Sequence, residues 1–464
     1  MRTYVKDIPE KTGKNVTLFG WVDVRRDHGK LIFIDLRDAT GIVQVVFNTK
    51  DENLLKDADR LRPEWVIKIE GEVKKRPVGM VNKELPTGDV EIEALRFDVL
   101  AQAASPPFAL DTDGKEIGEE NRLAYRYLDL RRTRLQKNLR YRSDFVQHVR
   151  DFLHEKHFVE IETPLLTKST PEGSRDFVVP SRLQPGHFYA LPQSPQQYKQ
   201  MLMVAGFEKY FQIARALRDE DPRADRGFEH SQVDLEMSFV GRDDVMQLVE
   251  QLVLYAVGKM DGKVKESPFP VFSYQDAMKK FGADKFDVRS DEEKKKNMLS
   301  FAWVVDFPVF EKDAEGRWTY SHNPFTAPRA EDEQNLLQKK NIENLISLQY
   351  DLVCNGHEVG GGGIRIHTSD MLRAVFEIIG HAPGAIEKQF GHMLRAFQYG
   401  APPHGGIALG IERLLMTLLN EEYIREVQAF PMTAGGRTAV MDAPSELSSD
   451  QLKELGIEIR KKSK

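Results

Sequence analysis

The segment of residues 218–226 carries seven charged side chains among nine residues. Arginines in such a loop can bind the oxygens of a polyanion through paired hydrogen bonds, and carboxylates can hold a metal ion beside it. A solvated hairpin tip is the simpler interpretation when this segment is considered alone. Other parts of the chain must therefore decide whether the loop does chemistry.

A second signal for anion binding is the glycine-rich stretch 405–410, which leads into a helical pattern over 411–419 with Arg413 in its first turn. A helix N-terminus favours anions, and arginine adds bidentate contacts to phosphate. Glu358 precedes the four glycines 360–363, and Asp351 lies seven residues before it. These two carboxylates offer the oxygen ligands that magnesium prefers, although an isolated pair would usually be structural.

Strand-like patterns over 210–217 and 232–240 flank the charged loop. In the second strand, alternation predicts that one face packs into a core and that the other lines something polar. The predicted packing side chains are Val233, Leu235, Met237 and Phe239, and the predicted polar ones are Asp234, Glu236 and Ser238. A helix over 138–157 followed by an extended stretch over 158–166 opens this domain.

The N-terminal part of the chain reads differently, because residues 15–100 contain about five short alternating segments. A small β-barrel is the expected fold, and the OB-fold is its common nucleic-acid-binding form. The stretch 101–113 is rich in alanine and contains Pro106 and Pro107, which is typical of a connection. We therefore predict an OB-fold domain over 1–104, a linker over 105–137 and a catalytic domain over 138–464.

Composition narrows the class of protein. The 464 residues are 41% hydrophobic and 30% charged, without an apolar run long enough to span a bilayer or an apolar leader, so a cytoplasmic location is expected. The single Cys354 excludes an intrachain disulfide and a cysteine-built zinc site. The net charge of −6 argues against sequence-blind binding of nucleic acid, which would have to use local basic patches.

Together these segments resemble the motifs of class II aminoacyl-tRNA synthetases: residues 158–164 are similar to motif 1, 218–236 to motif 2 and 405–413 to motif 3. The stretches 170–173, 193–200 and 358–365 are similar to the aspartate-specific family in its bacterial form. The resemblance covers roughly the whole chain. It implies an α+β fold, in which an OB-fold barrel precedes a catalytic domain built on an antiparallel sheet flanked by helices.

The resemblance also implies the reaction. The α-carboxylate of L-aspartate attacks the α-phosphate of ATP to give aspartyl-adenylate and pyrophosphate, and the terminal ribose hydroxyl of tRNA then attacks the acyl carbon. Arg218 would hold the α-phosphate and Arg413 the γ-phosphate, with Mg²⁺ near Glu358 and Asp351. The other implied ATP-binding residues are Asp219, Glu220, Gly227, Gly410, Ile411 and Glu412. No side-chain nucleophile is needed, which fits the absence of a Ser-His-Asp or Cys-His pattern.

For aspartate itself, the resemblance implies a pocket in which Lys199 and Arg365 bind the side-chain carboxylate. Two cations over one small anion would penalise asparagine, whose amide cannot be paired there. The remaining implied contacts to aspartate come from Glu172, Ser194, Gln196, Arg218, Asp234 and His322.

In the barrel, the resemblance assigns contacts with the tRNA anticodon to Arg26, Phe33, Gln44 and Glu91. Phe33 could stack on an unpaired base, but periodicity alone also allows it to be a barrel-core residue. His28 and Gly79 resemble relaxed members of the family, which charge both tRNA-Asp and tRNA-Asn. Charging of both tRNAs would require a partner amidotransferase to convert the misacylated product. Separately, the resemblance of residues 158–164 to motif 1 implies a homodimer.

Three departures from the bacterial pattern stand out. Asn323 replaces the second histidine of a usual His-His-Pro-Phe, Gly227 replaces a usual glutamine in motif 2, and the large inserted domain of bacterial forms is missing near 289–301.

Two alternative functions remain. Asparaginyl-tRNA synthetases share the motifs but do not need the cationic pocket. A non-catalytic tRNA-binding protein or a paralogue that makes a free amino-acid product is the other alternative, which the complete barrel and the three residues Arg218, Glu358 and Arg413 disfavour.

Overall fold

The structure is a computed structural model that describes residues 1–169 and 173–460. The chain divides into two compact units, Met1–Asp111 and Thr112–Lys464. None of the helices within the described ranges is long and apolar enough to cross a membrane.

The first unit is a closed barrel in which the strands follow the order β1-β2-β3-β5-β4. Its strands are β1 (Asn15–Asp27), β2 (Leu31–Asp38), β3 (Gly41–Asn48), β4 (Val66–Lys75) and β5 (Val90–Ala101), and helix α1 (Glu52–Ala58) follows β3. Apolar side chains at alternate positions fill the interior, as Ile32, Ile34 and Leu36 of β2 do. The predicted five-stranded barrel is confirmed.

The same alternation resolves the position of Phe33. Its neighbours Ile32 and Ile34 are buried in the barrel interior, so Phe33 lies on the outer face, where it is half-buried. The rings of Phe33 and His28 pack edge to face, with 5.4 Å between their centroids. Phe33 is therefore not a barrel-core residue.

The second unit is built on a larger sheet with helices against it. Its strands are β6 (Val159–Glu160), β7 (Val178–Pro180), β8 (Phe188–Ala190), β9 (Lys209–Leu217), β10 (Glu229–Ser238), β11 (Val271–Ser273), β12 (Phe301–Val305), β13 (Phe310–Lys312), β14 (Trp318–Tyr320), β15 (Gln349–Cys354), β16 (His357–Ile364) and β17 (His404–Gly410). Its helices are α2 (Glu119–Ala124), α3 (Arg126–Asp129), α4 (Thr133–Glu155), α5 (Gln196–Val204), α6 (Arg242–Lys259), α7 (Tyr274–Phe281), α8 (Asp291–Lys295), α9 (Glu333–Gln338), α10 (Ser369–Ile378), α11 (Pro383–Phe397), α12 (Ile411–Leu418) and α13 (Ser449–Leu455).

Within the described residues, the main sheet has the order β11-β12-β15-β16-β17-β10-β9-β6. All neighbouring pairs are antiparallel except β11 with β12 and β6 with β9 at the two edges. Val233, Leu235 and Met237 of β10 pack in one core with buried side chains of α4, α6 and α12. The opposite face of β10 is polar, as the alternation predicts. The predicted fold class, an antiparallel sheet flanked by helices, is confirmed.

One predicted member of the apolar face, Phe239, is not on it. Strand β10 ends at Ser238, and Phe239 has a positive φ of 61° and is 69% exposed. Its backbone nitrogen instead donates to the carbonyl of Pro403. The turn takes the side chain out of the strand pattern, and alternation does not reveal where a strand stops.

The predicted linker over 105–137 differs from the structure over most of its length. Residues from Thr112 onward belong to the second unit, and helix α4 begins at Thr133 rather than at 138. Asp129 is fully buried and accepts hydrogen bonds from three arginines. Those arginines are Arg122, Arg126 and Arg132. Mutual neutralisation lets these charged side chains be buried, and the composition of the connection did not indicate that.

This cluster gives a test of what holds the start of the second unit in place. We expect Asp129→Asn to lower the free energy of unfolding by about 3–5 kcal/mol, because it leaves three buried guanidinium groups without their shared anion. Urea denaturation followed by circular dichroism measures this change. Glu315→Gln, which alters an exposed carboxylate paired with Arg317, is the control and should change stability by less than about 0.5 kcal/mol. Equal stability of the two variants would contradict the assignment.

Candidate active site

A cavity of about 400 Å³ opens in the second unit on the polar face of the sheet. Side chains reach it from β10, β15 and β16, from the start of α5, and from α12. The sequence-predicted residues that line it are Ser194, Gln196, Lys199, Arg218, Glu220, Gly227, Asp234, His322, Asp351, Glu358, Arg365, Gly410, Glu412 and Arg413. Residues far apart in sequence thus converge on one site.

One part of the cavity contains a buried set of two cations and two anions. The Nζ atom of Lys199 lies 2.6 Å from Asp234 Oδ1 and 3.1 Å from Glu236 Oε2. The Nε atom of Arg365 donates to Glu236 Oε1 at 2.9 Å, and Tyr210 Oη donates to Asp234 Oδ2 at 3.2 Å. Each cation therefore has a carboxylate partner, and the four formal charges cancel. The predicted residues Lys199 and Arg365 thus lie together, and Glu236 is a partner of both.

The two carboxylates differ in electrostatic environment. Burial raises the pKa of Asp234, although Lys199 opposes that shift. Burial also opposes ionisation of Glu236, but the cations Arg365 and Lys199 outweigh it and hold the pKa of Glu236 at about 2. Glu236 is thus the fixed counter-ion of the set.

Polar side chains next to this set are linked by hydrogen bonds. The Nε2 atom of Gln196 donates to Gln200 Oε1 at 3.1 Å, and the backbone nitrogen of Gln196 donates to Ser194 Oγ at 3.3 Å. Gln200 is fully buried, with Nε2 at 3.1 Å from the ring nitrogen Nε2 of His404. These contacts fix the start of α5, from which Lys199 extends.

Another part of the cavity has the arginines of the charged loop and of α12. Arg218 Nε donates to the carbonyl of Gln193 at 3.2 Å. Arg413 Nε donates to the carbonyl of Asp225, and Arg413 Nη1 to the carbonyl of Glu358 at 3.0 Å. Arg413 Nε also lies 3.4 Å from Asp225 Oδ2, so this guanidinium has a carboxylate neighbour as well as backbone acceptors. Both arginines line the cavity, and guanidinium groups there can bind an anion.

The half-buried His230 lies in the same wall of the cavity. Burial lowers the pKa of His230 to about 3, with further lowering by Arg218 and Arg413. The imidazole is therefore neutral near pH 7.

Asp351 and Glu358 form an acidic pair on β15 and β16. The Cβ that an alanine would add at Gly361 would lie 3.1 Å from Asp351 Oδ1 and 3.7 Å from Glu358 Oε1, so both carboxylates flank this glycine. Asp351 Oδ1 accepts a hydrogen bond from Gln349 Nε2 at 2.7 Å. Burial and the neighbouring Glu358 raise the pKa of Asp351 well above its usual range.

His322 and Asn323 lie beside the acidic pair. His322 Nδ1 is 3.9 Å from Asp351 Oδ2. The unusual Asn323 accepts hydrogen bonds at Oδ1 from the backbone nitrogen of Phe325 and from Thr326 Oγ1, so it fixes the turn that carries His322. Burial lowers the pKa of His322.

Some predicted residues are placed elsewhere. Ile411 is fully buried in the core rather than in the cavity wall, and Asp219 lies outside the lining, where it faces Arg175. Glu412 lines the cavity but is 2% exposed, and its carboxylate holds Arg142 and the backbone nitrogen of Ser231, each at 2.9 Å. Glu412 thus anchors α4 to β10. Glu172 lies outside the described residues.

Two residues of β10 belong to the site although sequence reasoning did not select them. Glu236 pairs with both cations, and Gln232 lines the cavity with a buried Nε2 atom that has no hydrogen-bond partner in the described structure. An unpaired buried donor is costly unless a ligand accepts from it. The signal was available, because both residues fall on the polar face of the strand, in register with Asp234.

The barrel of the first unit carries its predicted residues on the outer face. Arg26 forms a bidentate pair with Asp35 at 2.7 and 2.8 Å, and it is opposite Phe33 in the register of β1 and β2. Gln44 Nε2 donates to Glu91 Oε2 at 3.0 Å. Gly79 lies in the loop between β4 and β5, with open space around its Cα.

Comparison with known proteins agrees with this geometry. Residues 118–434 match the family model described as tRNA synthetases class II (D, K and N), and residues 16–100 match the OB-fold nucleic acid binding domain. Fold and site thus define a class II tRNA synthetase with an OB-fold domain. The chain belongs, within that class, to the aspartate–tRNA ligase family, since relatives of that name match nearly its whole length.

Two relatives illustrate the similarity. An Aspartate--tRNA(Asp/Asn) ligase of Rubrobacter xylanophilus is 42% identical, with 96% of this chain and 95% of the relative covered. A ligase of the same name from Halothermothrix orenii is 41% identical, with 97% of each chain covered. The first alignment runs over 571 positions, which exceeds the 464 residues here, so that relative contains residues that this chain lacks.

Solved structures support the fold alone. An asparaginyl-tRNA synthetase of Pyrococcus horikoshii bound to asparaginyl-adenylate has a TM-score of 0.75 and 24% identity, covering 93% of this chain and 98% of that one. A putative aspartyl-tRNA synthetase of Leishmania major has a TM-score of 0.75 and 21% identity, covering 93% and 94%. The architecture is therefore common to enzymes named for either amino acid, and the side chains must distinguish them.

The neighbouring glycines of β16 give a test of the site geometry. At Gly361 the nearest atoms to an added methyl group would belong to the two carboxylates, whereas at Gly362 it would overlap the carbonyl of Gly406 and the ring of Tyr350. We expect Gly362→Ala to cost about 1–3 kcal/mol or more of stability, and Gly361→Ala to cost less but to weaken ATP binding. Thermal unfolding and ATP titration measure both. The reverse order of stability would contradict the described packing.

Proposed function

We propose that this enzyme activates L-aspartate with ATP in the described cavity and transfers it to the 3′ end of tRNA-Asp. In the first step the aspartate α-carboxylate oxygen bonds to the α-phosphorus, and the bond to the pyrophosphate oxygen breaks. In the second step a ribose hydroxyl of tRNA attacks the acyl carbon, and AMP leaves. The observation that carries the proposal is the buried Lys199 and Arg365 in one cavity with Arg218 and Arg413.

Selection of aspartate follows from the charge set. In this proposal Asp234 accepts the α-ammonium of the substrate, while Lys199 and Arg365 donate to its side-chain carboxylate. Glu236 keeps both cations in place and, because it cancels part of their charge, prevents a large desolvation cost before substrate binds. An asparagine amide would direct N–H donors at N–H donors, so an asparagine-specific enzyme would not be expected to keep this pair of cations.

Catalysis is then electrostatic. Arg218 stabilises the charge that develops at the α-phosphate, and Arg413 orients the terminal phosphate. In this proposal the bound aspartate is bordered by Ser194, Gln196 and His322. The nucleotide is bordered by Glu220, Gly227 and Gly410. Gln232 Nε2 is a further donor for the aminoacyl or phosphate oxygens.

A magnesium ion fits the acidic pair when it arrives with ATP. In the described ranges no three His, Cys, Asp or Glu side chains converge into a complete metal site. Asp351 and Glu358 alone supply two carboxylates, and Mg²⁺ is usually held by one or two carboxylates plus substrate phosphates. Bound there, the ion would offset the phosphate charge that the arginines leave.

On the barrel, Arg26, Phe33, Gln44 and Glu91 form the proposed face for the anticodon. His28 lies beside Phe33 and can donate or accept a hydrogen bond, so it tolerates either base at the variable anticodon position. We propose that tRNA-Asn is charged as well, and that a partner amidotransferase converts the product. The proposal includes a cytoplasmic homodimer, for which Leu165 and Leu166, each about half exposed beside motif 1, offer apolar surface.

The side-chain pocket can be tested through its cations. We expect Lys199→Met and Arg365→Met to reduce kcat/KM for aspartate by about 100-fold or more with little change in the KM for ATP, because one donor is worth about 10²–10³. Aspartate-dependent ATP–pyrophosphate exchange measures this. The paired variant Lys199→Met with Glu236→Gln removes one charge of each sign, which keeps the buried set neutral and separates loss of function from unfolding. Near-normal exchange in all three folded variants would exclude the pocket.

The breadth of tRNA selection needs a separate experiment. We expect similar kcat/KM for purified tRNA-Asp and tRNA-Asn transcripts, and we expect His28→Leu with Gly79→Lys to restore a preference for tRNA-Asp. The open space around Gly79 accommodates a lysine without strain. A preference of the unaltered enzyme for tRNA-Asp above about 100-fold, or about 2.7 kcal/mol, would refute relaxed specificity.

A further inference from the structure

Lys285 lies outside the three motifs described above and forms an ion pair with Glu358, one of the two carboxylates of the acidic pair. Lys285 Nζ lies 2.7 Å from Glu358 Oε2, and its side chain is 38% exposed. Although burial opposes ionisation, Lys285 lowers the pKa of Glu358 below its usual range. The ammonium thus holds the carboxylate that the proposed metal ion would also need.

The loop that carries Lys285 is fixed by packing on both sides of the lysine. The next residue, Phe286, is buried and stacks on Phe281 at 4.1 Å between ring centroids. Asp287 accepts hydrogen bonds from the backbone nitrogen and the guanidinium of Arg289 at 2.9–3.0 Å. These contacts place the backbone of Lys285 within reach of Glu358, and the ion pair directs its ammonium to the carboxylate.

We propose that Lys285 keeps the metal site closed in the nucleotide-free enzyme, so that the divalent cation enters only together with ATP. The inference rests on the proposed role of Asp351 and Glu358. Ammonium and metal compete for the same carboxylate oxygens and repel each other. Among the residues that the structure describes, a metal ion alone would gain two carboxylates and no larger ligand group, whereas one bound to ATP brings phosphate oxygens with it. The displaced ammonium then faces the incoming phosphates, which become its new partners.

The test uses Mn²⁺, whose free concentration is measured by electron paramagnetic resonance, with the full-length enzyme free of nucleotide. We expect Lys285→Met to tighten Mn²⁺ binding by about tenfold or more, or about 1.4 kcal/mol. Lys285→Arg retains the charge and should bind Mn²⁺ as the unaltered enzyme does. Lys279→Met, which removes an exposed lysine from α7, is the matched control and should also leave the affinity unchanged.

The double variant Lys285→Met with Glu358→Gln locates the effect. The gain in affinity should disappear in it, and persistence of the gain would overturn the proposal because the metal would then bind elsewhere. Unchanged Mn²⁺ affinity in Lys285→Met, with an unaltered melting temperature, would also overturn it. Failure of the proposed function is recognised separately, by absence of aspartate-dependent pyrophosphate exchange in the unaltered enzyme.

Discussion

The buried pairing of Lys199 and Arg365 with Asp234 and Glu236 constrains the rest of the catalytic unit. Removing four charges from water is unfavourable unless each has a partner at hydrogen-bonding distance. The partners come from α5, from β10 and from the residue after β16. Sheet, helix and connecting turn must therefore all be folded before the burial of any one of these charges is compensated. The charge set of the pocket thus depends on the integrity of the fold.

Glycine dominates the strands beside the pocket because the backbone there is closely packed. Strands β16 and β17 pair closely, with Gly362 opposite Ile407 and Gly363 opposite Gly406. A side chain at Gly362 or Gly406 would strike backbone or buried side chains, whereas at Gly361 it would project between the two carboxylates. The absence of side chains thus leaves open space beside the sheet, where a ligand can approach the backbone closely.

The cavity also shows a division of charge that suits its chemistry. In one part of the cavity each of the cations Lys199 and Arg365 is paired with a carboxylate, so a ligand there would meet directed donors rather than an excess of positive charge. Elsewhere in the cavity Arg218 donates to a backbone carbonyl, and Arg413 donates to a backbone carbonyl and lies beside Asp225. The same cavity therefore combines a buried, charge-paired region with a second region that contains arginines, and Asp351 and Glu358 also line it, with Lys285 paired to Glu358.

Sequence by itself determined the parts that depend on local periodicity and on residue type. The barrel strands, the two faces of β10, the glycine strand and the family could all be predicted, because alternation and motif spacing are properties of neighbouring residues. Only the tertiary structure decided that β10 stops before Phe239, that residues 112–137 pack into the second unit, and that Ile411 faces the core. It also decided that Glu236 pairs with both cations and that Lys285 reaches Glu358. These outcomes depend on which distant charges meet and on how much water is excluded around them, and neither can be read from spacing along the chain.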